Sequence, residues 1–404
     1  LIMCGLTLII FTGCERELDP EIIKSEPGTL DPIIVSANTQ FGFNLFNEIR
    51  KNEQDKNIFV SPYSVSVALA MTLNGASGET EQAMVNTLQL QGLGSDLINS
   101  GYFILNQTLQ STDPKVTLTI ANSLWGKQGI PFKQDFLDRN SQYFNAEITT
   151  LDFSDPSASQ TINMWVDTST NGKIQKIVDD NIDPQMVLFL INAIYFKGSW
   201  QTKFDSENTR DATFHLESGS TKQVPMMNRT DNYMHYVNHE DGLQAISLPY
   251  GDGQMSMYIF LPSRESDLDT FLDGLNAENW ENWMSQFQER KIWVQIPKFS
   301  LEYETSLIDT LTSLGMSIAF DEGRANFSRM ASLEDIVGNL YIAKVKHKAF
   351  IDVNEEGSEA AAVTGIGIAV TSLPPQFIAD RPFFFAIRDN KTKTVLFMGT
   401  VVDP

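Results

Sequence analysis

Cysteine is almost missing from this chain of 404 residues: there are two, Cys4 and Cys14, both within the first fourteen positions. The body therefore has no disulfide, no thiol nucleophile and no cysteine-ligated metal. Positive charge is scarce too. Twenty-nine Lys and Arg stand against 51 Asp and Glu, a formal net charge of −22 with no basic run to offset it. That excess argues against nucleic acid and against anionic membrane faces as partners. The glycine motifs of common chemistries are absent as well. There is no Gly-x-Ser-x-Gly; Gly75-Ala76-Ser77-Gly78 reads as a helix end followed by a cap, so no serine hydrolase triad is expected. No phosphate loop or dinucleotide turn occurs, and no cofactor is expected. His235 and His239 have a zinc-like spacing of four, but Tyr233–His239 reads as a strand. Four positions of strand cover about 13 Å, too far to share one metal.

The chain's opening run, LIMCGLTLIIFTGC, is apolar but too short to span a bilayer as a mature helix. Small residues lead to Cys14, which resembles a bacterial lipoprotein signal ending at its lipid-accepting cysteine. Residues 15–36, acidic and proline-containing, read as a flexible tether. The expectation is export and a lipid anchor at Cys14, with a domain over residues 37–404 in water, at the cell surface or in the periplasm.

Within that domain, Phe41, Leu45, Phe46 and Ile49 share one helical face. Asn57–Val60 predicts a short strand running into a helix, with Ser61 as N-cap and Pro62 in the first turn. The helix over 63–74 is apolar nearly all round and should be buried. Further helices are expected near 79–89, 96–110, 132–144, 159–170, 265–274, 277–286 and 303–314. Val116, Leu118 and Ile120 alternate with threonines, a half-buried strand that continues to Trp125. The unbroken apolar run at 186–196 predicts a central strand covered on both faces, and Asn192 inside it must find hydrogen-bond partners. A hairpin is expected across Gly251-Asp252-Gly253, strands at 290–300, 339–353, 383–388 and 393–401. With no repeat and no internal linker, the pattern indicates one α+β domain.

One stretch carries two readings. Residues 355–375, EEGSEAAAVTGIGIAVTSLPP, have the composition of a loop and the period of a strand. Ser358, Ala360, Ala362, Thr364, Ile366, Ile368 and Val370 form an uncharged row that becomes aliphatic; Gly357, Glu359, Ala361, Val363, Gly365, Gly367, Ala369 and Thr371 form the other. A segment that can be either loop or strand suggests a conformational switch.

These residues resemble the serpins, over about 37–404. Phe377-Ile378-Ala379-Asp380-Arg381-Pro382-Phe383-Phe384-Phe385 is similar to that family's signature. Asn57–Ser64 and Asn192–Trp200 are similar to two further blocks, and 355–375 resembles the hinge and reactive loop. The resemblance implies an α+β serpin fold with three β-sheets, eight to nine helices and an exposed reactive loop. It implies a monomeric suicide inhibitor of proteases: the loop is cut, inserts into the main sheet as a new strand, and traps the acyl-enzyme. Serpin loop insertion is a standard example of strand addition driven by stored strain. The hinge, Gly357, Ser358, Glu359, Ala360, Ala361, Ala362 and Thr364, keeps its inward row small and uncharged, as insertion needs. Family spacing puts the scissile bond at Thr371–Ser372, with cleavage after Val370 as an alternative. No Arg or Lys lies between Gly357 and Pro375, so an elastase-like serine protease is the expected target, with subtilisin-like or papain-like cysteine proteases as alternatives. A non-inhibitory serpin, a binding or chaperone-like module, is the other reading. By the same resemblance Ser61, Ser64, Asn192 and His347 form the polar cluster where the central strands part. Trp200, Lys298 and Glu355 mark the region where the loop first enters.

Overall fold

The computed structural model describes residues 30–53, 55–110, 113–332, 334, 338–358 and 374–404. Nine α-helices occur among them: α1 (Pro32–Arg50), α2 (Pro62–Leu73), α3 (Gly78–Thr87), α4 (Ser95–Gln110), α5 (Gln134–Phe144), α6 (Ser157–Ser169), α7 (Leu268–Asp273), α8 (Ala277–Met284) and the single turn α9 (Ile308–Leu311). The strands are β1 (Ile58–Val60), β2 (Val116–Lys127), β3 (Glu147–Leu151), β4 (Leu188–Ser199), β5 (Arg210–His215), β6 (Thr221–Val237), β7 (Gln244–Tyr250), β8 (Met255–Leu261), β9 (Gln288–Pro297), β10 (Phe299–Ser306), β11 (Ile342–Val353), β12 (Gly357–Ser358), β13 (Gln376–Ile378), β14 (Phe383–Asp389) and β15 (Val395–Val401).

One sheet runs β10-β11-β4-β2-β3, with β12 added against β4. The other strands are continuous in the order β1-β15-β14-β8-β7-β6-β9-β13, with β5 beside β6. That second set is two sheets joined at a narrow seam. The long β6 pairs with β9 from Met226 to His235 but reaches β7 only through His235, Tyr236 and Val237. Three sheets result, as the resemblance implied.

Strand β4 has both faces covered, which is why its sequence is apolar without alternation. Leu188, Leu190, Ile194 and Phe196 enter the main core, while Phe189, Ile191 and Ala193 pack under α6 and the segment after it with Ile162, Val166, Ile174 and Ile177. Helix α2 is buried along its whole length and packs against β4, β2 and β15. Ser61 caps it by accepting from the Ser64 amide, and Pro62 opens the first turn.

Two expectations change. The residues read as tether up to 36 include the start of α1, which begins at Pro32 with Asp31 as N-cap accepting from the Ile33 amide at 2.9 Å. The helix expected over 303–314 begins only at Ile308, because Tyr303–Ser306 completes β10. There Leu301 and Tyr303 are buried between exposed Glu302 and Glu304, a period of two, and the glutamates pair across to Lys348 and Lys346 on β11.

Candidate functional site: the seam between two parallel strands

Strands β4 and β11 run parallel, side by side from Leu188/Ile342 to Tyr195/Phe350. Above that level they part. β4 continues to Ser199, and the space beside it is taken by β12, antiparallel, with Gly357 opposite Ser199 and Ser358 opposite Gly198. A tight reversal links β11 to β12, in which Asn354 and Gly357 exchange backbone bonds of 2.9 and 3.2 Å. Only glycine serves at 357: its φ is +142°, and a Cβ there would stand 2.1 Å from the Gly198 carbonyl oxygen. The chain is thus already a short added strand where the segment read as a switch begins.

Trp200, Lys298 and Glu355 converge at this upper end. Lys298 Nζ lies 2.8 Å from Glu355 Oε2, and the Thr209 hydroxyl donates to Glu355 Oε1 at 2.8 Å. Burial alone would raise the Glu355 pKa, but the Lys298 and Thr209 bonds outweigh it and hold the carboxyl below its usual value. The Trp200 indole donates to the Asn354 carbonyl at 2.9 Å, and its amide donates to Glu356 at 2.9 Å. Tyr250 stacks on Trp200 with centroids 4.4 Å apart. Its hydroxyl meets Ser358 Oγ at 2.9 Å, and both groups are sealed from water.

Ser61, Ser64, Asn192 and His347 come together lower on the seam, all at most 1% exposed. The Ser61 amide donates to His347 Nε2 at 3.1 Å. That nitrogen must be unprotonated, so the proton sits on Nδ1, which donates to Asn192 Oδ1 at 2.6 Å. The Asn192 amide group in turn donates to the Ser64 carbonyl at 3.0 Å, to the Ser64 hydroxyl, and to Asn122 Oδ1 at 2.6 Å. Ser61 Oγ donates to the Leu396 carbonyl at 2.6 Å. The result is a neutral, mutually satisfied network tying α2, β2, β4, β11 and β15 together. Burial pushes the His347 pKa down to about 3, so the ring stays neutral at physiological pH.

Two members escape the sequence reading. Asn122 lies opposite Asn192 on β2, in the same alternating row as Leu118 and Ile120; a polar residue on that inward row is the signal that marks it. Tyr250 carries no such signal, since its partner Ser358 is 108 residues away. His235 and His239 stand apart from the seam, the first at the end of β6 and the second in the turn beyond. No group of three or more metal-binding side chains occurs among the described residues. Cys14, the hinge from Glu359 to Thr364, and Val370, Thr371 and Ser372 lie outside the described residues.

The sequence matches the family described as Serpin (serine protease inhibitor) over residues 36–404. The chain belongs to the serpin family. Serpin B11 of Homo sapiens is 36% identical over 391 residues, 91% of this chain and 99% of that protein. The leukocyte elastase inhibitor of Xenopus tropicalis is 36% identical over 378 residues, again 91% and 99%. Among solved structures, the native state of the thermophilic serpin tengpin superimposes with a TM-score of 0.85 at 32% identity, covering 95% of this chain and 97% of tengpin. The family's description is that of inhibitors of serine proteases, and the leukocyte elastase inhibitor carries that activity in its name.

Proposed function

We propose that this serpin is an inhibitory one that traps elastase-like serine proteases by cleavage at Thr371–Ser372 and insertion of residues 358–370 between β4 and β11. One observation carries the reading. Gly357 and Ser358 already occupy the gap above Tyr195 and Phe350 as a strand on β4, so continued insertion extends an existing ladder rather than nucleating a new one. The residues next in line on the inward row, Ala360, Ala362 and Thr364, are small and uncharged, so burying them carries no charge-desolvation cost. The fourteen steps from Gly357 to Thr371, at ~3.3 Å each in an extended chain, cover on the order of 45 Å. A domain of this size has a gyration radius of roughly 21 Å, so an attached protease would travel most of the molecule's length. Thr371 after Val370, with no basic residue nearby, suits a small apolar primary pocket. Export and lipid anchoring at Cys14 complete the proposal and place the inhibitor where foreign proteases meet the cell.

The test is to mix the protein with pancreatic elastase and look for an SDS-resistant complex, with the released C-terminal peptide identified by mass. A peptide beginning at Ser372 is expected. Digestion without any complex would support the non-inhibitory reading instead. Thr364→Arg should turn the inhibitor into a plain substrate, because a guanidinium would have to enter the sheet interior; undiminished trapping by that variant would reject insertion as the trapping step.

A further inference from the structure

The strand that follows the reactive loop is held lightly. β13 pairs with β9 only at Gln376, Phe377 and Ile378, supported by Trp293 donating to the Pro375 carbonyl and Ala379 donating to Gln295, each at 2.9 Å. Against its other side lies a cleft of about 320 Å³ lined by Gln244, Ser263, Arg264, Gln376, Ile378 and Arg381, among others. The two arginines share one carboxylate. Arg264 Nη2 pairs with Asp380 Oδ2, and Arg381 Nη1 sits 3.1 Å from Asp380 Oδ1. Arg381 is fixed in place by two further bonds to the Pro262 carbonyl, from Nε at 3.0 Å and Nη2 at 2.6 Å. Arg264 is 57% exposed over the cleft mouth. Two guanidinium groups against one carboxylate leave a full positive charge uncompensated, in a molecule whose net charge is −22. Burial, and to a smaller degree the Arg264 charge, work against the Arg381 cation while Asp380 supports it, and an added negative charge would offset the repulsion between the two arginines.

We propose that this cleft binds a small oxyanion, a carboxylate or a phosphate, held chiefly by the exposed Arg264 guanidinium with the Arg381 charge behind it, and that its occupancy pins β13 against β9. Planar or tetrahedral oxyanions suit bidentate guanidinium donors, and the amides of Gln244 and Gln376 and the Ser263 hydroxyl supply neutral donors around them. The cleft wall is made on one side by β7, β8 and the segment after it, and on the other by β13 itself. A ligand touching both resists any rearrangement that peels β13 away. It leaves untouched the insertion that follows cleavage, because residues beyond the cut bond stay where they are. That last consequence rests on the inhibitory reading; the binding and the pinning do not, so a failed trapping assay leaves their test intact.

Sodium phosphate and sodium succinate are titrated against sodium chloride at matched ionic strength, following hydrogen exchange of the 374–379 segment in the full chain. At ten times its Kd a ligand bound only to the docked form slows opening about tenfold. Saturable protection is expected with at least one anion, identifying a phosphate or a carboxylate ligand by which one acts. It should be lost in Arg264→Gln and weakened in Gln376→Leu, a second variant on the opposite wall. No protection beyond chloride, or equal protection in Arg264→Gln and the parent protein, overturns the site. Saturable binding without slower exchange overturns the pinning.

Discussion

Midway along the β4–β11 seam the polar contacts among Ser61, Ser64, Asn192 and His347 are neutral and closed to water, whereas at its upper end the Lys298–Glu355 pair is charged and partly open. His347 and Asn192 are at most 1% exposed, and each hydrogen bond they lose leaves a buried group without a partner, at about 1–3 kcal/mol apiece. The Lys298 and Glu355 side chains are 37% and 13% exposed, and water can replace much of what that pair supplies; exposed pairs contribute roughly 0–1 kcal/mol. The difference sets a direction. A strand added at the top displaces cheap contacts first and reaches the costly ones only after its own ladder has begun to form. The buried network is then the threshold and the upper end the doorway.

The largest effect is expected from breaking the threshold. Asn192→Leu preserves bulk but leaves the His347 Nδ1–H without its acceptor and Asn122 Oδ1 without its donor. The loss should be about 3 kcal/mol, read as a lowered guanidinium midpoint for the first unfolding transition. A change under about 1 kcal/mol would mean the network is slack, and the contrast between the two ends of the seam would collapse.

The sequence made part of this visible for identifiable reasons. The 186–196 run declared a strand covered on both faces, and Asn192 stood out because a lone amide in such a run must be bonded. Ser61 was marked by its N-cap position before Pro62. The meeting of Ser61, Ser64, Asn192 and His347, and that of Trp200, Lys298 and Glu355, came from family resemblance; no periodicity relates His347 to Ser61, which are 286 residues apart. Tyr303–Ser306 was misread because the Leu307 and Leu311 spacing of the following turn extends a helical period backward over it. What decides it as strand is pairing with β11, a long-range fact. The start of α1 was missed because Pro32 and Asp31 read as tether composition, although Asp before Pro is also a helix opening.

Acid should separate the two ends. His347 is held at about 3 in the folded protein against 6.5 for the free ring, so the unfolded chain takes up its proton first. Stability from this group is complete above pH 6.5 and is lost as pH falls toward 3. The loss is at most about 1.4 kcal/mol per pH unit, or roughly 2 kcal/mol between pH 7 and pH 5. Glu355 is shifted in the same direction from a lower reference: its pKa is depressed from 4.5, so its contribution is complete above 4.5 and is lost only as pH falls toward its lower folded value. Mild acid therefore loosens the middle of the seam while the top stays paired. His347→Gln, which can still accept from Ser61 and donate to Asn192, should flatten the pH 7 to 5 slope of the unfolding midpoint. An unchanged slope would assign the acid sensitivity to other groups.

The smallest effect belongs to the doorway. Tyr250→Phe keeps the ring stacked on Trp200 and removes one hydroxyl from Ser358, at a cost of about 1 kcal/mol. Because that bond joins the hinge to the sheet rather than the sheet to itself, the cost should appear in the local equilibrium, not in global unfolding. A shift of 1 kcal/mol corresponds to about a fivefold change in population. Hydrogen exchange at the amides of 357 and 358 should accelerate by about that factor while the guanidinium midpoint stays within error. Equal softening of both would mean that the two ends of the seam open as one unit. Faster exchange at the hinge alone would show that the first two residues of the inserted strand leave and return by themselves.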